Sequence, residues 1–449
     1  MIPVVTPKEM NDIDKKAPES IEDLIERAGV AIAWHARQMM RGTYGKRVAV
    51  IAGKGNNGAD GRAAADHLIR WGVKVKILTA EYDLSDIPVS DLVIDAAYGT
   101  GLKREYKAPQ IPYPVLAVDI PSGICGTTGQ ALGKPVIADA TITFQAMKPG
   151  HILSPGSSHC GKITVVDIGL DVSTAKTHVV ERADILEMMP EKNSEKHKWS
   201  SACWIIGGSP GMGGAPSLAS QGAQRTGCGY VRMSVPGELT QTFSEVVQFP
   251  ISPIGWEKDI TQTEVSRFHS MVLGPGVGKT EAAVAAMLKT ISCIDLPVVL
   301  DADALFAIGQ EPHLASRRET NIVLTPHDKE FEYITGHRPK KDRIEDVRVA
   351  AQMMNSILLL KGPATIIGHP DGRCLIVNAG DQRLATAGTG DVLSGIIGGL
   401  LAQGIQPFDA AAIGAWVHGE ASKSCADIGM IASDLLTPIS EVLNETHMG

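Results

Sequence analysis

Short apolar runs alternate with amphipathic stretches along most of the chain. In the first part the apolar runs predict strands at RVAVIAG (47–53), VKVKILT (73–79), LVIDAAY (92–98), VLAVDIP (115–121), ATITFQA (140–146) and ITVVDIG (163–169). Helical patterns, such as the one from Asp60 to Trp71, lie between them. This alternation is typical of a mostly parallel sheet with helices on both faces, since strands buried on both faces are apolar throughout.

The same alternation resumes after a polar break. The segment from Ile185 to Trp199, ending in MMPEKNSEKHKW, is charged and poor in strand formers, so we place the domain boundary there. Strand patterns follow at CWIIGGS (203–209) and near 229–235, 270–274, 297–301, 321–325, 355–361 and 374–378. Helical stretches from Asp391 to Gln403 and from Phe408 to Asp427 close the chain. We therefore predict two α/β domains, at residues 1–190 and 195–445.

Composition narrows the class of protein. The 449 residues are 44% hydrophobic and 20% charged, which is enough for two buried cores. A formal net charge of -8 argues against nucleic acid or an anionic membrane as the main partner. Seven cysteines form no CxxC pair, the N-terminus lacks a signal-peptide pattern, and no run of about 18 apolar residues occurs. We expect a cytoplasmic protein without a zinc site or membrane span.

A glycine-rich loop, GKGNNGADG (53–61), joins the first of these strands to a helix. Such a turn presents backbone N–H groups at a helix N-terminus, where the helix dipole also favours a phosphate. Asn56 and Asn57 add amide donors and acceptors, and Asp60 either caps the helix or contacts a ligand. A plain tight turn remains the alternative.

Two further strand ends carry an aspartate followed by glycines. Asp95 is followed by YGTG (98–101), and Asp119 by PSG (121–123). Ligands bind at the carboxyl edge of a parallel sheet, where these loops meet. Two carboxylates beside an Asn-rich loop predict cation coordination, acid–base chemistry or both, with helix capping as the alternative.

Four stretches together resemble the YjeF N-terminal family, the NAD(P)H-hydrate epimerases, over about residues 1–190: LIERAG (24–29), GKGNNGADG (53–61), DAAYGTG (95–101) and VDIPSG (118–123). The resemblance implies a Rossmann-like three-layer αβα domain that interconverts the R and S epimers at C6 of hydrated NADH or NADPH. It implies a potassium ion held by Asn57, Asp95 and Ser122, with Asp119 as the acid–base residue. The substrate-lining residues it implies are Asn56, Asn57, Gly58, Ala59, Asp60, Gly99, Thr100, Gly101, Leu102, Lys103, Arg104, Glu105 and Asp119. The family usually has glycine at the position of Ala59, so a non-catalytic nucleotide-binding module is the alternative.

The strongest pattern of the second domain is ATAGTGD (385–391), which runs directly into an apolar helix. Its glycines allow N–H groups to converge on an anion at the helix N-terminus. Asp391 beside that anion would act as a base toward a hydroxyl that attacks a phosphate, and a helix cap is the alternative. The loop is not a Walker A motif. Lys361 and Thr365, in LLLKGPATII (358–367), are candidate phosphate or nucleotide contacts.

Polar residues also follow other predicted strands of this domain. Asp301 and Asp303 lie in VVLDADAL (298–305), and NIVLTPHDKEFEYITG (321–336) places His327 and Glu330 just after a strand. A histidine between a strand end and a helix start is a candidate substrate contact, although alone it would more often be structural.

These stretches resemble the YjeF C-terminal family, the ribokinase-like NAD(P)H-hydrate dehydratases, over about residues 195–445: GGSPGMGGA (207–215), LGPGVG (273–278), DADAL (301–305), LTPHDKEF (324–331), LKGPAT (360–365) and TAGTGDVLSG (386–395). The resemblance implies a second three-layer αβα domain. ADP or ATP would phosphorylate the C6 hydroxyl of the S epimer there, and loss of phosphate would restore NAD(P)H, with Mg²⁺ shielding the phosphates. Residues implied to face the hydrated nucleotide are Gly276, His327, Asp328, Glu330 and Asp391. Residues implied to hold ADP or ATP are Lys361, Gly362, Pro363, Ala364, Thr365, Thr386, Gly388, Thr389 and Gly390. HKWS (197–200) departs from the family, which commonly has glycine after His-Lys.

The two resemblances fit one function, because an epimerase would supply the epimer that the dehydratase accepts. We expect the intermediate to diffuse freely between the sites, and the resemblance implies a homo-oligomer. A small-molecule hydroxyl kinase with a non-catalytic N-terminal domain is the alternative, and it would release a phosphorylated product instead of free phosphate. The sequence leaves open ADP against ATP and NADH hydrate against NADPH hydrate.

Overall fold

The computed structural model describes residues 1–80, 86–189, 197–237, 245–316 and 321–448. The chain forms two compact units, Ile2–Thr177 and His178–Gly449, the second of which also includes Met1. The boundary predicted between residues 190 and 195 lies outside the described residues. The helix Arg182–Met188, which precedes it, belongs to the second unit.

The first unit contains a six-stranded parallel sheet in its described residues, in the order β3–β2–β4–β6–β8–β9. Its elements are β1 (Ile2–Val4), α1 (Pro7–Lys16), α2 (Ile21–Met39), β2 (Arg47–Ala52), α3 (Asn56–Arg70), β3 (Lys74–Thr79), β4 (Leu92–Ala96), β5 (Tyr106–Lys107), β6 (Val115–Val118), β7 (Gly133–Lys134), β8 (Ala140–Phe144) and β9 (Lys162–Val166), with single 3₁₀ turns at Pro149–His151 and Gly156–His159. All six predicted strands are confirmed to within a few residues. The central strands β2, β4, β6 and β8 are largely buried, whereas the edge strands β3 and β9 are partly exposed.

The helices α2 and α3 pack together on one face of this sheet, over a core that includes Ile32, Leu68 and Ile94. The opposite face is covered by the parallel β5–β7 pair and neighbouring loops, with Ile51 and Val93 in that core. Because every strand of the sheet is parallel, the loops after β2, β4 and β6 emerge at one edge.

The second unit contains a longer sheet in which most neighbours are parallel. Its elements are β10 (Thr177–Val179), α4 (Arg182–Met188), β11 (Ala202–Ile206), α5 (Gly214–Arg225), β12 (Tyr230–Ser234), β13 (Val247–Gln248), α6 (Glu257–Thr261), β14 (Ser270–Leu273), α7 (Glu281–Cys293), β15 (Val298–Leu300), α8 (Asp303–Gln310), α9 (His313–Ser316), β16 (Ile322–Leu324), α10 (Asp328–Thr335), α11 (Arg343–Met354), β17 (Ile357–Leu360), β18 (Thr365–Gly368), β19 (Cys374–Val377), α12 (Thr389–Ala402), α13 (Pro407–Ser422) and α14 (Leu436–Met448), with 3₁₀ turns at Lys198–Ser200, Val265–Arg267, Gln382–Leu384 and Ala432–Leu435. The strands lie in the order β10–β19–β18–β17–β16–β15–β14–β11–β12–β13. Only the β17–β18 and β18–β19 pairs are shown to be antiparallel among the described ladders.

The position of α12 is set by close packing. A Cβ atom on Gly395 would lie 1.9 Å from Ala219 O of α5, so only glycine permits this approach of the two helices. Together with α13, these helices cover one face of the sheet, and α11 packs on the other face at β17 and β18. In the part of the chain that the structure describes, no helix has the length and apolar character needed to cross a membrane.

Candidate active sites

The first turn of α3 is pressed against the strand ends of the N-terminal sheet. A Cβ atom on Gly58 would lie 1.9 Å from Gly53 O, so glycine is required there. The Asn57 side chain is oriented so that both its amide nitrogen and its amide oxygen have hydrogen-bond partners. The nitrogen donates to Val118 O (3.1 Å), and the oxygen accepts from Gly99 N (3.3 Å). One asparagine therefore links the three loops that the sequence predicted to meet.

Asp95, at the end of β4, is fully buried. Its carboxylate accepts hydrogen bonds from Ser122 N (2.8 Å), Ser122 Oγ (2.7 Å) and Ala97 N (3.3 Å). Burial raises the pKa of Asp95, and these hydrogen bonds oppose the rise without cancelling it. Of the three residues predicted to hold potassium, the structure joins Asp95 to Ser122, while Asn57 contacts the neighbouring loops.

The chemistry of this corner fits an alkali cation. Asp95 and Ser122 offer oxygen ligands, and the buried hydroxyl of Tyr106 has no hydrogen-bond partner in the described structure. A cation would also stabilise the ionised form of Asp95, which is costly to bury alone.

Asp119 follows β6 with a φ of 65°, an uncommon left-handed conformation for aspartate. Its Oδ1 lies 2.7 Å from Lys148 Nζ and 3.2 Å from Thr143 Oγ1. Burial would raise the pKa of Asp119, but the Lys148 charge and hydrogen bond outweigh it and hold the pKa below its usual value. Its Oδ2 faces the loop after β4, 3.2 Å from the position of a Cβ atom on Gly99. Asp119 is therefore an ionised carboxylate with one oxygen directed toward the shared edge.

Lys148 and His151 are site residues that the sequence did not reveal. Lys148 is 2% exposed, and its Nζ also donates to Thr143 Oγ1 (2.8 Å). His151 Nδ1 accepts from Lys148 N (3.0 Å), so its Nε2 carries the proton and donates to Asp119 O (2.7 Å). Burial, followed by the Lys148 charge, lowers the pKa of His151 to about 4, so the ring is neutral. These residues hold Asp119 in place.

Asp60 lies on α3 three residues after Asn57, on the same side of the helix. Burial raises the pKa of Asp60 to about 8, and the charges of Asp119 and Asp14 add to the effect, while Lys148 opposes it. Asp14 projects from α1, and burial likewise raises its pKa. Asp60 and Asp119 therefore differ in protonation state near neutral pH.

The remaining predicted substrate contacts surround this edge. Ala59 is half-buried in the first turn of α3, and the loop after β4 is mostly exposed. Arg104 donates to Tyr98 Oη (2.9 Å), and its guanidinium lies 5.5 Å from the centre of the Tyr98 ring. The loop residues placed here are Gly99, Thr100, Gly101, Leu102, Lys103, Arg104 and Glu105.

The N-terminus of α12 is the candidate anion site of the second unit. Gly388 caps the helix with a φ of 90°, a conformation that favours glycine. The Thr389 hydroxyl donates to Leu384 O (2.8 Å) and so fixes the loop from within. The first-turn N–H groups of Gly390 and Asp391 have no acceptor in their own helix and are available to a phosphate.

Four charged side chains gather beside this helix start. Lys361 Nζ lies 2.9 Å from Asp301 Oδ1 and 3.6 Å from Glu330 Oε2, and a Cβ atom on Gly390 would lie 3.5 Å from the same Nζ. Burial would lower the pKa of Lys361, but Asp301 and Glu330 outweigh it and raise the pKa. Burial raises the pKa of Asp391 to about 7, and Asp301 and Glu330 add to that shift against Lys361. The structure thus brings Lys361, Gly390, Glu330 and Asp391 together, and Asp301 anchors the group.

His327 has a structural role in the described part of the chain, and its contact with substrate stays a prediction. The ring Nδ1 of His327 caps α10 by accepting hydrogen bonds from Lys329 N (3.1 Å) and Glu330 N (3.2 Å). The backbone N–H of His327 donates to Glu330 Oε2 (2.9 Å). Its Nε2 lies 3.5 Å from Glu330 Oε1, and the side chain is 52% exposed, so that edge of the ring remains accessible.

The other predicted contacts are spread around the cluster. Asp328 makes two hydrogen bonds to Arg343, at 2.7 and 3.0 Å. A Cβ atom on Gly362 would lie 3.4 Å from Arg343 Nη2, so this ion pair borders the turn between β17 and β18. That turn contains Gly362, Pro363 and Ala364, with Thr365 opening β18, and Thr386 lies in the loop before α12. Gly276, with a φ of 71°, accepts from Ser209 Oγ (3.0 Å), and none of its described contacts joins it to the charged cluster.

Two α/β units, each with polar side chains gathered at strand ends, define an enzyme with two active sites. The sequence model of a family described as NAD(P)H-hydrate dehydratase matches residues 203–445. The model described as YjeF-related protein N-terminus matches residues 21–86 and 80–150. The chain belongs to the family of bifunctional NAD(P)H-hydrate repair enzymes.

Individual relatives are similar in sequence to most or nearly all of the chain. The bifunctional NAD(P)H-hydrate repair enzyme Nnr of Moorella thermoacetica is 32% identical, over 98% of this chain and 96% of that protein. The enzyme of the same name from Mycobacterium tuberculosis is 34% identical, over 83% of this chain and 82% of that protein.

Among solved structures, an ADP/ATP-dependent NAD(P)H-hydrate dehydratase from Bacillus subtilis, co-crystallised with ATP and Mg²⁺, has a TM-score of 0.52 and 27% identity, covering 59% of this chain and 97% of its own. A ribokinase-like protein from Enterococcus faecalis, at 19% identity and a TM-score of 0.55, covers 62% of this chain and 99% of its own. This second likeness supports the ribokinase-like fold alone.

Proposed function

We propose that this chain repairs hydrated NADH and NADPH in two steps. The N-terminal domain, residues 1–190, interconverts the R and S epimers at C6. The C-terminal domain, residues 195–445, uses ADP or ATP to dehydrate the S epimer, releasing NAD(P)H, AMP or ADP, and phosphate. The observation that carries this proposal is Asp391, which stands at the N-terminus of α12 in the same charged cluster as Lys361.

In the dehydratase site, Asp391 takes the proton of the C6 hydroxyl group of the substrate. The hydroxyl oxygen then attacks the terminal phosphate of ADP or ATP. A base with a pKa of about 7 is well matched to this task near neutral pH. The N–H groups at the start of α12 and Lys361 hold the transferred phosphoryl group. Loss of phosphate together with a proton from C5 then restores the ring double bond. A bound Mg²⁺ would shield the phosphate charges, and Glu330 offers it an oxygen ligand.

In the epimerase site, Asp119 is the acid–base residue. The Lys148 charge keeps it ionised, and the hydrogen bonds from Thr143 and Lys148 fix its Oδ1. Asn57, Asp95 and Ser122 would hold a potassium ion, which would supply fixed positive charge close to the substrate. The loops that carry Asn56 to Asp60 and Gly99 to Glu105 would enclose the substrate at this edge.

The test starts from a mixture of both NADH-hydrate epimers, with ADP or ATP, Mg²⁺ and K⁺. Recovery of NADH is followed by the near-ultraviolet absorbance of the dihydronicotinamide ring, with spontaneous epimerisation subtracted. We expect full recovery with the wild-type protein and none with Asp391→Asn. Recovery of only one epimer would contradict the epimerase assignment. A phosphorylated product without free phosphate would instead indicate a small-molecule kinase.

We further propose that the protein is a cytoplasmic homo-oligomer with small-molecule substrates. All seven cysteines are free, which suits a reducing compartment, and the net charge of -8 does not favour nucleic acid or membrane surfaces. Light scattering during size-exclusion chromatography measures the oligomeric state directly, and a monomer would contradict this proposal.

A further inference from the structure

Asp60 lies close enough to Asp119 for the charge of Asp119 to act on it. It follows Asn57 by three residues on α3, so the two side chains project from one side of the helix. Asn57 bonds to Val118 O, the carbonyl that precedes Asp119, and to Gly99 N. Asp119 Oδ2 faces the same glycine. Two carboxyl groups, one from the helix and one from the strand end, are therefore directed toward one edge of the sheet.

The surroundings of these two carboxyl groups differ. Asp119 is paired with Lys148 at 2.7 Å, whereas the Asp60 carboxyl has no hydrogen-bond partner among the described residues. The charged groups that act on Asp60 are Asp119, Asp14 of α1 and Lys148, and two of these three are negative. Burial and this like charge raise the pKa of Asp60 to about 8, so near neutral pH it holds a proton while Asp119 is ionised. Carboxyl pairs whose surroundings separate their protonation in this way divide the acid and base roles of a reaction.

We propose that Asp60 is the proton donor of the epimerase site and acts together with the ionised Asp119 as proton acceptor. This inference rests on the proposed epimerase function of the N-terminal domain and adds a second reacting group to it.

The proposed step is balanced. Asp60 gives its proton to the hydroxyl oxygen as the C6–O bond breaks, water leaves, and the lone pair of the ring nitrogen N1 forms a C6=N1 double bond. Water then adds to the opposite face of C6, the electron pair returns to N1, and Asp119 accepts the proton released. One water leaves and one is consumed, and the proton moved from Asp60 to Asp119 returns through solvent. No oxidant or reductant is required.

The experiment uses the full-length protein without ADP or ATP, so that the dehydratase step does not proceed. One purified epimer of NADPH hydrate is supplied, and the other is followed by chromatography. We expect Asp60→Asn to lower kcat by about 10²–10³, within the range for general acid catalysis, with little change in KM. Asp60→Glu is expected to restore part of the rate. In heavy-oxygen water, the product epimer should carry solvent oxygen.

Asp14→Asn is the matched variant. It removes a negative charge that acts on Asp60 but leaves the Asp60 carboxyl in place, so the alkaline limb of the pH–rate profile should move to lower pH with an unchanged plateau. A merely structural role for Asp60 predicts no such movement. Asp60→Asn at the wild-type rate, or an alkaline limb unmoved by Asp14→Asn, would overturn the inference. An inactive wild-type protein would instead contradict the proposed epimerase function.

Discussion

Lys361 Nζ lies 2.9 Å from Asp301 Oδ1, although the two residues end different strands, β17 and β15, that are separated in the sheet by β16. Asp301 is 2% exposed and also accepts a hydrogen bond from Ser394 of α12. This buried aspartate therefore ties the lysine of the proposed nucleotide site to the helix that carries Asp391. It is a positioning residue, since its carboxylate is occupied by Lys361 and Ser394.

Replacement of Asp301 should therefore impair nucleotide use. Asp301→Asn keeps the size of the side chain but removes the charge that holds Lys361, so we expect a higher KM for ADP or ATP and a lower kcat for dehydration. The epimerase rate of the same protein is the internal control and should not change. Steady-state kinetics with varied nucleotide measures both constants, and an unchanged KM would contradict the positioning role.

The dehydratase should lose activity on the acidic side of neutrality. Asp391 acts as a base only when ionised, and its pKa is raised to about 7, so the rate should rise with pH through that region and then level off. Glu330→Gln removes one of the negative charges that raise this pKa, and the acid limb should shift to lower pH. The pH dependence of kcat, measured for the wild-type protein and for Glu330→Gln, tests this shift. An acid limb that stays in place would contradict the electrostatic coupling.

Much of the fold follows from pattern alone, because strands of a parallel sheet are apolar on both faces and read as continuous runs. The thirteen strand segments predicted from such runs correspond to strands in the structure. The short edge strand β13 (Val247–Gln248) was missed, since two residues give no periodicity. β18 (Thr365–Gly368) was also missed, because the strand predicted near 355–361 ends before the turn at Gly362 and no second strand is predicted directly after it.

The candidate sites were predictable where residues follow a strand end or where a glycine-rich loop opens a helix. Asp95 and Asp119 could be found from the strand ends, because parallel strands bring their carboxyl ends together. Asp391 could be found from a different pattern, the glycine-rich loop that opens α12. Lys148 and His151 could not, because their roles depend on contacts with Asp119 made across the sheet. The capping role of His327 was likewise visible only from the hydrogen bonds at the start of α10.

The raised pKa of Asp391 should also affect stability. The folded state holds a proton that the unfolded chain, with the ordinary pKa, releases, so stability is lost as the pH rises from about 4 to about 7. Asp391→Asn removes this penalty. At pH 8 the variant should therefore unfold at a higher temperature than the wild type, and at pH 4 the difference should vanish. Calorimetry at both values measures this effect, and a variant less stable at pH 8 would contradict it.

Removal of the Lys148 side-chain charge should lower both the stability of the first unit and its epimerase activity. Lys148→Met leaves Asp119 buried without its counter-ion, and breaking a buried pair on one side typically costs about 3–5 kcal/mol. Burial should then dominate and raise the pKa of Asp119, so epimerisation near neutral pH should also fall. Urea unfolding and the epimerase assay measure the two effects, with dehydratase activity as the control.

The double variant Lys148→Met with Asp119→Asn separates the two effects of the ion pair. With no buried charge left unpaired, most of the lost unfolding free energy should return, because the cost arises from the isolated carboxylate and not from the missing attraction. Epimerase activity should be absent in the double variant, since the introduced side-chain amide cannot accept a proton. A double variant as unstable as Lys148→Met would mean that the lysine acts through packing and its bond to Thr143. A double variant with restored epimerisation would contradict the assignment of Asp119 as the acid–base residue.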